Sequence, residues 1–237
     1  MSSESLVAAQ GLQAGYGRKQ VVFDVDLTVG RGEIVALLGH NGAGKTTTLK
    51  TIFGMLPALG GSVTFLDEDA TRAGCRRNVI RGMAMIPAER FVFADLTVRD
   101  NLLLGANHES SQAVREARYA QVEHMFPILK ERAAQGAGTM SGGQQRMLSL
   151  GIALMSGPRL LLLDEPSLGL APALVTSLFG TLAELVKSQG LGVLLLEQNV
   201  GQVLRIADRV AVMRSGRVIV EETAAQMRAR ESYWDLF

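Results

Sequence analysis

Residues 33–47, EIVALLGHNGAGKTT, restrict the possible folds more than any other stretch of the chain. Residues 33–38 (EIVALL) read as a buried strand. That run passes directly into Gly39-His40-Asn41-Gly42-Ala43-Gly44-Lys45-Thr46, which fits G-x-x-x-x-G-K-[ST], with Thr47 following. A helix is predicted from Lys45 to about Met55, stopping before Pro57. Glycines at this spacing let backbone N–H groups turn onto phosphate oxygens, and the helix N-terminus adds partial positive charge. Lys45 would reach the outer phosphates of a nucleotide, and the Thr46 hydroxyl would ligate Mg²⁺. A chance glycine-rich turn explains neither the preceding strand nor the Lys-Thr pair. His40 lies in a variable slot, where an outward side chain is the plainer reading than a catalytic one.

The rest of the chain alternates between strand and helix, with one interruption. Residues 21–29 (VVFDVDLTV) read as a half-exposed strand, residues 61–66 and 83–86 as further strands, and residues 72–81 as a short helix. From about residue 97 to 156 the pattern is helical, with a helix starting near Ser141. Strands are then expected at 160–163 and 193–196, and helices at 173–187 and 200–206. Ser215-Gly216 sits between two short apolar runs as a hairpin turn, and a polar helix and a WDLF tail follow. The expectation is a single α/β domain over 1–237, with an all-helical subdomain inserted at about 97–156.

Bulk properties narrow the function classes. The chain has 237 residues, 47% hydrophobic and 20% charged, so a large core is available. A net charge of +1 offers no electrostatic case for nucleic acid. No run approaches the ~18 apolar residues of a membrane span, and the N-terminus lacks the pattern of a signal peptide. The single cysteine, Cys75, excludes an internal disulfide and suits a reducing compartment. It stands beside Arg76 and Arg77, and a passive thiol is the plainer reading.

Two further motifs carry chemistry. Residues 160–163 are four leucines that deliver Asp164 and Glu165 to a strand's carboxyl end, where open α/β sheets bind ligands. Asp164 would belong to the Mg²⁺ shell, and Glu165 would orient or deprotonate an attacking water. Ser141-Gly142-Gly143-Gln144 reads as a helix start with Ser141 as N-cap. Two glycines in a first turn are unfavourable by about 1 kcal/mol each. They make sense where something must approach the backbone, and bare N–H groups beside a hydroxyl suit a phosphate.

Taken in order, the nucleotide loop, the SGGQQ stretch and LLLLDEPSLGLAP resemble the ATP-binding subunit of an ABC (ATP-binding cassette) transporter. The resemblance covers nearly the whole chain. More narrowly, GHNGAGKTTTLK, FADLTVRDNLLLGA and LLLEQN are similar to the ATPases of branched-chain amino-acid importers, and of the related urea and short-amide importers. The resemblance implies a P-loop ATPase core with an N-terminal antiparallel β region, and ATP and Mg²⁺ as cofactors. Its partners would be integral-membrane permease subunits, a second ATPase subunit and, indirectly, a solute-binding protein. The subunit would be peripheral, on the cytoplasmic face of the inner membrane. Tyr16 matches an aromatic that stacks on adenine, Ser141–Gln144 a signature that binds the γ-phosphate of ATP held by another protomer, and residues 167–170 a loop coupling the two sites.

Two positions depart from the commonest pattern. Ala88 stands after Pro87 where many relatives have a metal-linking glutamine, so Glu89 is the candidate substitute; a solvated loop glutamate is the alternative. Phe91 and Phe93 beyond it read either as core or as the wall of a groove for a membrane subunit. Gln198 stands where many relatives have histidine. Its amide both donates and accepts, so it would hold water and phosphate together without a titrating proton. Two rival classes remain: a non-transport ATPase of the same family, and a phosphotransferase, which has no use for SGGQQ. If Gln198 acts on the reacting water, Gln198→His is expected to add a titration near pH ~6.5 to the pH–rate profile of hydrolysis. An unchanged profile and rate would reduce Gln198 to a polar strand cap.

Overall fold

The structure, a computed structural model, describes residues 5–89, 91–230, 232 and 236. The chain opens with two long strands, β1 (Ser5–Tyr16) and β2 (Lys19–Gly30), paired antiparallel. β2 alternates buried and exposed residues from Val25 to Val29, the pattern of a sheet with one solvated face. β1 has no such clean period: its pairing is broken by bulges, one between Ala9 and Leu12 where Gly11 has φ +56°. That irregularity is why its length was not legible in the sequence. With β4 (Ala58–Phe65) and the two-residue β5 (Glu68–Asp69) these strands form a sheet in the order β2-β1-β4-β5.

The second sheet contains the wholly buried strands. β3 (Ile34–Leu38), β7 (Leu160–Asp164) and β8 (Gly192–Glu197) are buried at every position. β6 (Met83–Ile86), β9 (Arg209–Arg214) and β10 (Arg217–Thr223) complete it, in the order β10-β9-β3-β8-β7-β6. All neighbours are parallel except β9 and β10, which form a hairpin. Ser215 and Gly216 both have positive φ, as the tight turn between those strands requires.

β3 divides the core. Ile34, Ala36 and Leu38 face a helical layer, while Val35 and Leu37 face the antiparallel sheet and the helix after β3. That helix, α1, runs Lys45–Phe53 and ends at Gly54 in the left-handed region, two residues before the expected stop. α2 (Gly74–Ile80) lies within the expected span. Between Val98 and Met155 the regular elements are all helical: α3 (Val98–Gly105), α4 (Gln112–Met125), α5 (Pro127–Glu131), a 3₁₀ turn (Ala137–Thr139) and α6 (Gly142–Met155). α7 (Pro172–Gln189) follows β7. α8 (Val200–Val203) is shorter than the expected 200–206, because the chain turns toward β9 after one helical turn. α9 (Ala224–Ala229) is the polar terminal helix. Of the WDLF tail only Leu236 lies within the described residues, and it packs against the core.

No described helix is long and apolar enough to cross a membrane. The central strands are packed on both faces, where one missing side chain leaves a void. Leu162→Ala, at a site with no exposure, is expected to lower stability by about 2–5 kcal/mol. The check is a drop in urea midpoint at unchanged slope.

Candidate active site

Because β8 lies between β3 and β7, three chain ends emerge side by side. Leu38 pairs with Glu197, and Asp164 pairs with Leu196. The residues that follow each strand, Gly39, Gln198 and Glu165, are thereby neighbours at the carboxyl edge of a parallel sheet.

The loop after β3 is built against the β9–β10 hairpin. Gly39 has φ +153°, and a Cβ there would lie 2.3 Å from the Met213 carbonyl oxygen, so only glycine fits. Gly216 N–H donates to the Ala43 carbonyl at 2.8 Å, tying the loop to the turn. Gly44 begins α1 in the left-handed region, with no side-chain cap and no acidic residue in the first turn. By contrast Thr97, Ser111 and Ser141 cap α3, α4 and α6. The uncapped first amides of α1 suit an anion from outside. Lys45 is buried, its Nζ donating to the carbonyls of Gly39 at 2.6 Å and His40 at 3.2 Å. Burial lowers its pKa, opposed by the charges of Glu165, Asp164 and Glu197. His40 and Asn41 have exposed side chains.

Thr46 Oγ1 donates to Asp164 Oδ1 at 3.2 Å. Asp164 is 3% exposed, and its carboxyl is raised from the usual value, by burial first. The Thr46 hydrogen bond opposes that rise, the charge of Glu165 adds to it, and Lys45 and Lys50 oppose it. Among the described residues no cluster of His, Cys, Asp or Glu could hold a metal by itself. A hydroxyl beside one buried carboxylate is a hard-oxygen pair that fits Mg²⁺, which keeps waters and substrate phosphates for its remaining positions.

Glu165 has φ +47°, a left-handed conformation that costs a non-glycine residue about 1–3 kcal/mol. Its backbone is clamped on both sides. The N–H donates to Leu196 O at 2.9 Å, and the carbonyl accepts from Arg146 at 3.2 Å. Its Oε1 accepts from Gln198 Nε2 at 2.6 Å, and the same nitrogen donates to Asn41 Oδ1 at 2.8 Å. One amide group therefore joins the ends of all three strands.

Other sequence candidates stand apart from this cluster. Among the described residues no hydrogen bond links Tyr16 or the 141–144 stretch to Lys45, Thr46, Asp164, Glu165 or Gln198. Tyr16 ends β1 and is 50% exposed. The α6 N-terminus is less bare than expected. Ser141 Oγ accepts from Gln144 N–H at 3.4 Å, and the Gln144 side chain accepts from Ser141 N–H at 3.0 Å. The Ser141 hydroxyl hydrogen is not consumed by that box. A Cβ at Gly143 would lie 2.5 Å from the Cδ1 of Leu174 of α7, the movable end of that side chain. Glu89 is exposed and shares a cavity of about 620 Å³ with Thr46, Asp164 and Phe91. Phe91 and Phe93 are exposed, not core, and meet edge to face at 5.7 Å. Their loop is held by buried Asn101, which accepts from Phe93 N–H and donates to the carbonyls of Phe93 and Thr97. Cys75 is exposed.

Sequence reasoning missed two residues here. Arg146 is buried and donates to the carbonyls of Pro87 at 2.8 Å and Ala88 at 2.6 Å, as well as to Glu165. Glu197 is buried at the end of β8. The only available signal was a charge placed inside an otherwise apolar helix or strand, which is rare unless it is partnered.

The sequence profile of the ABC transporter family matches residues 22–168. The high-affinity branched-chain amino acid transport ATP-binding protein BraG of Pseudomonas aeruginosa is 42% identical, over 92% of this chain and 94% of its own length. The lipopolysaccharide export system ATP-binding protein LptB of Escherichia coli K12 is 34% identical, over 93% and 92%. A solved ATP-binding subunit of an ABC transporter superposes with TM-score 0.84 at 30% identity, covering 97% and 96%. The chain belongs to the ABC transporter family. It is an ATP-binding, ATP-hydrolysing subunit of that family, with the fold of its cassettes.

Charge at Asp164 opposes folding at neutral pH, because its folded pKa is raised and ionisation is less favourable in the native state. Asp164→Asn is therefore expected to raise the nucleotide-free Tm. Magnesium-dependent hydrolysis should fall in the same variant. Scanning fluorimetry and a phosphate-release assay check the pair, and an unchanged or lower Tm contradicts it.

Proposed function

We propose that this subunit powers an importer of branched-chain amino acids or a similar small polar solute, with Glu165 as the base or water-orienting group. The observation that carries the catalytic assignment is the Gln198 amide, bonded at once to Glu165 and to Asn41 of the nucleotide loop. In this reading Gly39, Gly42, Ala43, Gly44, Lys45, Thr46 and Thr47 cradle the phosphates, and His40 and Asn41 line the same loop. Thr46 and Asp164 would hold Mg²⁺, with Glu89 reachable across the shared cavity. That ion would neutralise charge on the phosphate oxygens. Glu165 orients a water toward the γ-phosphorus. The new P–O bond forms as the bond to ADP breaks, and the water's proton passes to Glu165 or to the released phosphate. Gln198, unable to titrate, holds the water's position. Placement and charge stabilisation supply the rate, with little covalent chemistry.

The signature stretch Ser141, Gly142, Gly143 and Gln144 would serve a second ATPase subunit's nucleotide, since among the described residues no hydrogen bond joins it to its own chain's nucleotide loop. Tyr16 would stack on adenine. Residues 97–156 are read as the inserted helical subdomain. The exposed Phe91 and Phe93, beside a mixed apolar and polar cavity, would receive an integral-membrane permease at the cytoplasmic face of the inner membrane. A solute-binding protein would act through that permease. The solute itself rests on likeness to BraG, and the 34% likeness to an export ATPase shows how little the cassette encodes it.

Glu165→Gln is expected to cut hydrolysis roughly 10²–10⁴-fold while leaving ATP binding intact. Lys45→Ala should lose nucleotide binding. Normal turnover in the first, or retained micromolar affinity in the second, would overturn these roles. Uptake of labelled leucine, isoleucine and valine by cells lacking the gene tests the solute. Unimpaired uptake of all three, with loss of another solute, refutes that assignment.

A further inference from the structure

Glu197 is a buried carboxylate at the end of an otherwise apolar strand. It is 3% exposed, at the end of a strand otherwise made of glycine, valine and leucines. Both carboxylate oxygens are used. Oε1 accepts the Ser167 N–H at 2.9 Å, and Oε2 accepts the Gln198 N–H at 3.2 Å. The first donor opens the loop of residues 167–170. In that loop Leu168 is 61% exposed, and residues 168–170 border a cavity of about 480 Å³ that also touches Gly142 and Arg146. The second donor belongs to the residue whose amide grips Glu165 and Asn41. A single buried side chain therefore bridges the outward-facing loop and the reacting centre.

We propose that Glu197 is a positioning residue that locks the 167–170 loop to Gln198, so that movement of that loop sets whether Gln198 is aligned on Glu165. This rests on the catalytic reading of Gln198 and Glu165 given above. The chemistry calls for a carboxylate. Two N–H groups converge on one side chain, and only an ionised carboxylate offers acceptors alone. Glutamine would turn its NH₂ toward one of the donors, and aspartate would be one methylene too short to span both. Hydrogen bonds to a charged, buried group are the strong ones, so the bridge is stiff enough to transmit displacement.

The test is a mutant cycle on the full chain with saturating Mg-ATP. Glu197→Gln is expected to lower kcat roughly 10- to 100-fold, the effect of one lost hydrogen bond to a charged group, with KM for ATP within about 3-fold. In a Gln198→Ala background the same change should alter kcat by less than about 3-fold, because Glu197 acts through Gln198. Wild-type kcat in Glu197→Gln, or an equal loss in both backgrounds, overturns the proposal. If Gln198→Ala itself turns over normally, the catalytic reading of Gln198 has failed instead. Should the variants not fold, hydrogen exchange in the wild-type protein decides. The Ser167 and Gln198 amides should exchange at least about 10-fold more slowly than in an unstructured peptide, and unprotected exchange at Ser167 refutes the bridge.

Discussion

Backbone hydrogen bonds that pair Leu38 with Glu197, and Asp164 with Leu196, hold β8 between β3 and β7. The site follows from that ladder. Three stretches far apart in the chain end at one edge of one sheet, and their terminal side chains come within hydrogen-bond distance. A slip of one residue in β8 would send Glu197 to the other face and remove Gln198 from Glu165. Such a slip is costly because it would strand the Glu197 carboxylate among leucines, away from the Ser167 and Gln198 N–H groups.

This edge is an expensive place to fold. Lys45, Asp164 and Glu197 are all buried within it, and Glu165 is held in a left-handed conformation. Each is offset locally: Lys45 by two carbonyls, Asp164 by Thr46, Glu197 by two amides, and the Glu165 backbone by Arg146 and Leu196. The partners are mostly backbone groups, which cannot rotate away. Groups held in that manner are preorganised, so they need little reorganisation when a charged ligand arrives. The β9–β10 turn takes part as well, since Gly39 and Ala43 rest against Met213 and Gly216.

Much of this was legible in the sequence. Short apolar runs ending in GHNGAGKT, DE and EQN announce strands that present polar ends, and Ser141 was readable as a helix cap from the glycines and glutamines after it. The irregular β1, the single turn of α8 and the tight capping box of α6 were not legible. Each depends on what lies opposite: bulged partners for β1, the path to β9 for α8, and the fold-back of Gln144. Gly143 is the clearest case. A Cβ there would meet the Cδ1 of Leu174 at 2.5 Å, a contact between helices distant in the chain that the local sequence does not announce.

The sequence alone determined the class of chemistry. Phosphate binding needs a particular order of glycines, a lysine and a hydroxyl, and that order is local, set within one strand–loop–helix unit. The tertiary structure alone decided which side chains meet at one edge of the sheet. Strand order is a long-range property, and nothing in residues 191–201 states that they pair with residues 34–38 on one side and 160–164 on the other. For the same reason Glu197 and Arg146 were silent in the sequence: each acts on the backbone of a segment that folding alone brings near.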